Sequence, residues 1–133
     1  MGEAGITEIE LDRDSCFGTC PVFRVVLSGA GSYCYSGIRH VELMGERTGR
    51  FPGYLFARLA ELCGEMGILG LDELYSSDFD DAPSTTLTVR HAAGVKVVRN
   101  EGGNAGPVRL WAFGVVVEHA VREAFAIEDR ERG

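Results

Sequence analysis

Residues 21–37 read PVFRVVLSGAGSYCYSG. Two runs rich in β-branched and aromatic side chains flank Gly29-Ala30-Gly31, where glycine supplies positive φ at no steric cost. That is the pattern of a β-hairpin, with VFRVVLS as one strand and SYCYSG as its partner. In the partner, Tyr33 and Tyr35 share one face while Ser32, Cys34 and Ser36 share the other, and either face is a candidate for the core. Upstream, residues 6–12, ITEIELD, alternate apolar and polar and predict a first strand. Downstream, residues 38–44, IRHVELM, read as another strand that ends at the polar GERTGR.

Pro52 opens a helix whose face is Leu55, Leu59, Leu62 and Met66, stopped by Gly67 and Gly70. The stretch LGLDELYSSDFDDAP is a long acidic connector. STTLTVR and VKVVRN then form a second hairpin through HAAG, and EGGNAG is a loop. Pro107 opens a last helix to about Phe125, with Leu110, Gly114, Val117, Val121 and Ala124 as its buried stripe. The order is β-β-β-β-α-β-β-α. It predicts an α+β fold: one domain over residues 1–133, with an antiparallel sheet and two helices packed on one face. Residues 1–5 and 127–133 are expected to fray. Pro21 to Gly31 and Pro83 to Gly94 are similarly spaced, which suggests a ββα repeat. Such a repeat would bring the loop before Pro21 and the acidic loop before Pro83 to one end of the sheet.

The chain has 133 residues, of which 45 % are apolar and 25 % charged, with a net charge of −7. That is the profile of a globular domain long enough to bury a core without disulfides or metal. The acidic balance argues against a nucleic-acid or anionic-membrane partner, since both need a basic face. No segment approaches the roughly 18 apolar residues of a membrane span, and none near the start reads as a secretory signal. A cytoplasmic location is therefore expected, with mostly reduced cysteines.

The densest motif is Cys16-Phe17-Gly18-Thr19-Cys20-Pro21. Two cysteines four apart on a loop can approach disulfide distance, with Gly18 permitting the tight turn. Pro21 fixes the entry to the next strand, and Thr19 can cap a turn or bond a thiolate. Three readings stand side by side. The cysteines are small buried apolar groups; or one is a thiolate stabilised by loop N–H groups, for redox or nucleophilic work; or both ligate a soft metal with Asp81 or a distant His. Asp78, Asp80 and Asp81, if they face Cys16 and Cys20, would raise a thiol pKa and suit a cation better. They lack the Gly and distal Glu of a calcium loop, and a solvated acidic turn is the plainer reading. No CxxC, Walker, GxGxxG, HExxH or GxSxG pattern occurs, so no cofactor is expected. No sequence feature selects His40, His91 or His119 as a catalytic partner for a cysteine. Cys63 is expected in the core, and Trp111 in the core or at a dimer contact.

The CFGTCP block resembles an uncharacterised bacterial domain family with a Cys-Phe-Gly-x-Cys-Pro signature. Cys16, Phe17, Gly18, Cys20 and Pro21 stand at its positions. Tyr75, Asp81 and Pro83 are similar to its second block, and the similarity runs from about Ile6 to Phe125. Phe23 stands close to where an aromatic often follows the proline. Many members look exported, which implies an oxidised cysteine pair; this chain shows no export signal. The family carries no assigned activity. The expectation is therefore a small binding or interaction module for a protein or small-molecule ligand. Phe17, Gly18, Thr19, Pro21, Asp78, Asp80 and Asp81 are its binding candidates, and homo-oligomerisation through exposed strand edges is compatible with it. The alternative is a thiol-dependent protein using Cys16 or Cys20.

Overall fold

The computed structural model describes residues 5–14, 18–76, 84–101 and 105–132. Four strands come first: β1 (Glu8–Arg13), β2 (Val22–Ser28), β3 (Ser32–Arg39) and β4 (Gly45–Arg50). Helix α1 (Gly53–Glu65) and a 3-10 turn (Ile68–Gly70) follow. Then come β5 (Leu74–Ser76), β6 (Ser84–His91), β7 (Gly94–Glu101) and helix α2 (Val108–Arg132). The sheet order is β4-β3-β2-β1-β6-β7-β5, antiparallel except for β5 beside β7. This is the predicted α+β architecture of a single sheet with two helices. The first half gives four strands and the second three, so the arrangement does not establish a ββα repeat.

Period-two alternation decides which face is covered. Ile9 and Leu11, Val25 and Leu27, Tyr33 and Tyr35, Leu87 and Val89 are all buried and pack in one cluster with residues of both helices. The tyrosine face of β3 is thus the core face, and Cys34 is exposed. The other face carries ion pairs such as Arg24–Glu10 at 2.7 Å and Arg90–Glu8 at 3.1 Å. Each buried aliphatic side chain contributes about 2 kcal/mol, whereas an exposed ion pair contributes below about 1 kcal/mol. The helices therefore belong where they lie.

The hairpin closes as expected, with Gly31 at φ 105° and its N–H donating to Ser28 O at 3.0 Å. Pro52 precedes α1, and Gly67 ends its last turn in the left-handed region at φ 67°. The buried face of α1 is Phe56, Leu59, Ala60 and Cys63; Leu55, Leu62 and Met66 flank it, half-buried. Leu110, Gly114, Val117, Val121 and Ala124 of α2 are all buried, joined by Phe113 and Ala120.

Five expectations are corrected. Residues 40–44 are a turn and not part of a strand: His40 has φ 56° and Gly45 φ 89°, which reverse the chain. GERTGR is the edge strand β4; its inward positions hold Arg47 and Gly49, so it shows no apolar alternation. The acidic connector contains β5, held in parallel register on β7 from Leu74↔Arg99 to Ser76↔Glu101. Helix α2 continues past Phe125 to Arg132, because Glu128 is tied to the sheet. Trp111 is not in the core: it is 56 % exposed, beside exposed Val108 and Val115 on the outward side of α2.

Candidate binding cleft

β1 ends between the entries to β2 and β6, with Arg13 opposite both Phe23 and Thr85. The Asp14 N–H donates to Ser84 O at 2.8 Å. Val22 and Ser84 thus stand at the same end of the sheet. Cys16, Phe17, Asp78, Asp80 and Asp81 lie outside the described residues. Gly18 and Thr19 are exposed, and Gly18 at φ 144° holds a backbone conformation that favours glycine. Cys20 is half-buried and disulfide-bonded, and Pro21 follows it at the surface. Among the described residues no group of three or more His, Cys, Asp or Glu could hold a metal ion.

Pro21 forms one wall of a cleft of about 410 Å³ between the inner face of β2–β3, the turn at residues 40–44 and α2. Phe23, Tyr35, Val121 and Phe125 make its floor, and Val41 and Leu43 its far wall. His40, Glu42, Glu118 and Arg122 carry the charged and polar groups of its rim. The floor is held rigidly: Phe23 stacks with Tyr35 at 6.1 Å, and Phe125 meets Tyr35 edge to face at 5.3 Å. The Tyr35 hydroxyl donates to Leu43 O at 2.9 Å, which ties the turn to the floor. Burial pushes the Tyr35 phenol above its ordinary value, and the Arg122 charge partly offsets the rise. His40 is the one non-glycine residue with positive φ among the described residues, and it stands on this rim. Such conformations cost free energy and collect at sites where geometry matters.

Glu118 does not stand free at the rim. Arg13 Nε donates to its Oε2 at 2.7 Å, and Arg13 Nη1 reaches Thr85 Oγ1 at 3.4 Å. The pair joins the end of β1 to the middle of α2 at the rim of the cleft. Beyond Phe125, a second polar cluster fastens α2 to the sheet edge. Glu128 accepts from the Tyr33 hydroxyl, from the Arg50 N–H at 2.9 Å and from Arg47 at 3.3 Å. Arg47 also donates to Asp129 at 3.0 Å and lies 4.4 Å from the centroid of the Phe125 ring. The Arg50 N–H points away from β3, so Glu128 also occupies a donor on the exposed sheet edge.

Of the sequence-predicted site residues, then, Pro21 lines the cleft, while Gly18 and Thr19 sit on the exposed loop beside it. No sequence motif marks the rim and floor residues as one site. Their one signal is local: Glu118 and Arg122 lie one helical turn apart and interleave with the apolar stripe at Val121 and Phe125.

The thiols differ sharply in access. Cys34 is exposed, whereas Cys63 is fully buried, and burial pushes its thiol up to about 11. Alkylation of the unreduced native protein is therefore expected to label Cys34 while sparing Cys20 and Cys63, as read by peptide mass. Labelling of Cys63 as fast as Cys34, or of Cys20 without reductant, would contradict this placement.

The fold and the cleft define a two-layer α+β domain with a disulfide-bonded cysteine beside a mixed apolar and charged pocket. The chain belongs to a family described as "Domain of unknown function (DUF6438)", whose model matches residues 7–121. No curated protein matches the chain. No described helix is long and apolar enough to cross a membrane.

Proposed function

We propose that this domain is a binding module without catalysis of its own, whose small ligand occupies the cleft between α2 and β2–β3. One observation carries the reading: a cleft of about 410 Å³ with an aromatic floor and a charged rim, walled by Pro21. Apolar surface with a few convergent polar groups is what small-molecule sites share. The disulfide-bonded Cys20 is then structural, and with Pro21 it fixes the entry of β2. The exposed apolar stripe of Val108, Trp111 and Val115 is compatible with self-association of the same module.

The test is a screen of small amphipathic compounds by amide and methyl NMR shifts. Hits are expected to move the signals of Tyr35, Val121 and Phe125 together. Val41→Trp, on the half-buried far wall, fills the cleft from the rim and is expected to abolish those shifts in a protein whose remaining spectrum is unchanged. Hits that map elsewhere and survive Val41→Trp would refute the cleft as the site.

A second reading is thiol–disulfide exchange, favoured by the partial exposure of the disulfide-bonded Cys20. The two readings diverge at Cys20→Ser. A binding module that still folds keeps its ligand shifts, whereas an exchange protein loses all turnover of a disulfide substrate.

A further inference from the structure

The chemistry of the cleft favours one class of ligand, given the binding reading above. Its floor is three aromatic rings, Phe23, Tyr35 and Phe125, locked against one another at 6.1 and 5.3 Å. Electron-rich ring faces attract cations, and the attraction grows as the cation sheds water. Phe125 already makes such a contact with the Arg47 guanidinium. On the rim, Glu118 is neutralised by Arg13, which leaves the exposed Glu42 against the exposed Arg122, with the His40 imidazole beside them. Those two charges nearly balance. The rings then decide the sign, and the net charge of −7 draws cations from a distance.

We infer that the cleft takes a small organic cation, an alkylated or quaternary ammonium whose apolar substituents lie on the Phe23–Tyr35–Phe125 floor with Glu42 facing its charge. A quaternary ammonium needs no hydrogen-bond acceptor, which suits a floor whose one hydroxyl, on Tyr35, is already committed to Leu43 O. Arg122 opposes the cation; being exposed, it is screened by solvent and can turn outward.

Three probes of nearly one shape test this. They are choline, its neutral isostere with carbon in place of nitrogen, and the tert-butylacetate anion, each titrated into the native protein by NMR. Choline is expected to bind about tenfold more tightly than the isostere, the difference one good cation–π site makes. Glu42→Gln should weaken choline binding and Arg122→Gln should strengthen it, and both exposed substitutions leave the fold intact by the same spectra. If the isostere binds as well as choline, or if the anion binds best and Arg122→Gln abolishes it, the cation inference falls while the binding-module reading stands. If none of the three shifts Tyr35, Val121 or Phe125 while other compounds do, the inference likewise falls alone. If nothing binds in the cleft, both fall.

Discussion

Gly37→Ala is expected to destabilise the protein by about 3 kcal/mol, the upper part of the range for overpacking, and to lower the melting midpoint by roughly 10 °C. A Cβ at residue 37 would stand 2.0 Å from Leu43 O, 2.9 Å from the Tyr35 hydroxyl and 3.0 Å from Val41 Cγ2. The first of these atoms is backbone, and it also accepts the Tyr35 hydroxyl, so it cannot withdraw without breaking that bond. The turn at residues 40–44 would have to lift off β3, and with it the far wall of the cleft. Ligand shifts should weaken together with stability. Gly53→Ala is the control: a Cβ there meets nothing within 4 Å, and the site opens α1. Denaturant unfolding of the pair measures the difference. A change below about 1 kcal/mol for Gly37→Ala would mean that the turn yields freely and is not a fixed wall.

The turn also shows why some of the fold is legible in the sequence and some is not. Strands β1, β2, β3 and β6 have one face in the core, so burial imposes alternation that can be read residue by residue. The stripe of α2 is legible for the same reason at helical period. Strand β4 escapes because its inward positions serve the polar cluster: Arg47 reaches Tyr33 and Glu128, and Gly49 leaves the space in which the Glu128 carboxylate sits. An apolar residue at either position would have revealed the strand and removed the cluster. Strand β5 escapes because three residues carry no period. It is held by partners distant in sequence, with the Arg99 N–H donating to Glu73 O at 2.8 Å and the Tyr75 ring packed below Gly106. The cleft was the least legible feature. Pro21, Tyr35, Glu42 and Arg122 come from four segments, and only the tertiary fold makes them neighbours.

Glu128→Gln tests the polar cluster, and its effect should depend on pH. Glu128 is 13 % exposed and Arg47 17 %, so their hydrogen bonds are partly shielded from water. Removing the charge weakens three bonds at once, from Tyr33, Arg50 N–H and Arg47, while Asp129 continues to hold Arg47. A loss of about 2 kcal/mol at neutral pH is expected, as for one or two charge-assisted bonds. Burial alone would raise the Glu128 carboxyl; the bonds from Tyr33, Arg50 and Arg47 outweigh it and hold the group below its ordinary 4.5. A carboxyl lowered by folding stabilises fully above its unfolded value, and the contribution fades as pH falls through 4.5 toward the folded value. Asp12 acts in the opposite sense. Burial and then Glu10 raise its carboxyl, so protonation favours the folded state as pH drops. The raw acid profile of either protein mixes the two groups, but the difference between wild type and Glu128→Gln cancels Asp12. That difference should stay flat from neutral pH down to about 5 and then shrink toward zero in stronger acid. A gap that keeps its size at low pH would mean that Glu128 holds α2 on the sheet by shape and not by charge. In that case the length of α2 beyond Phe125 would owe nothing to an ionised carboxylate.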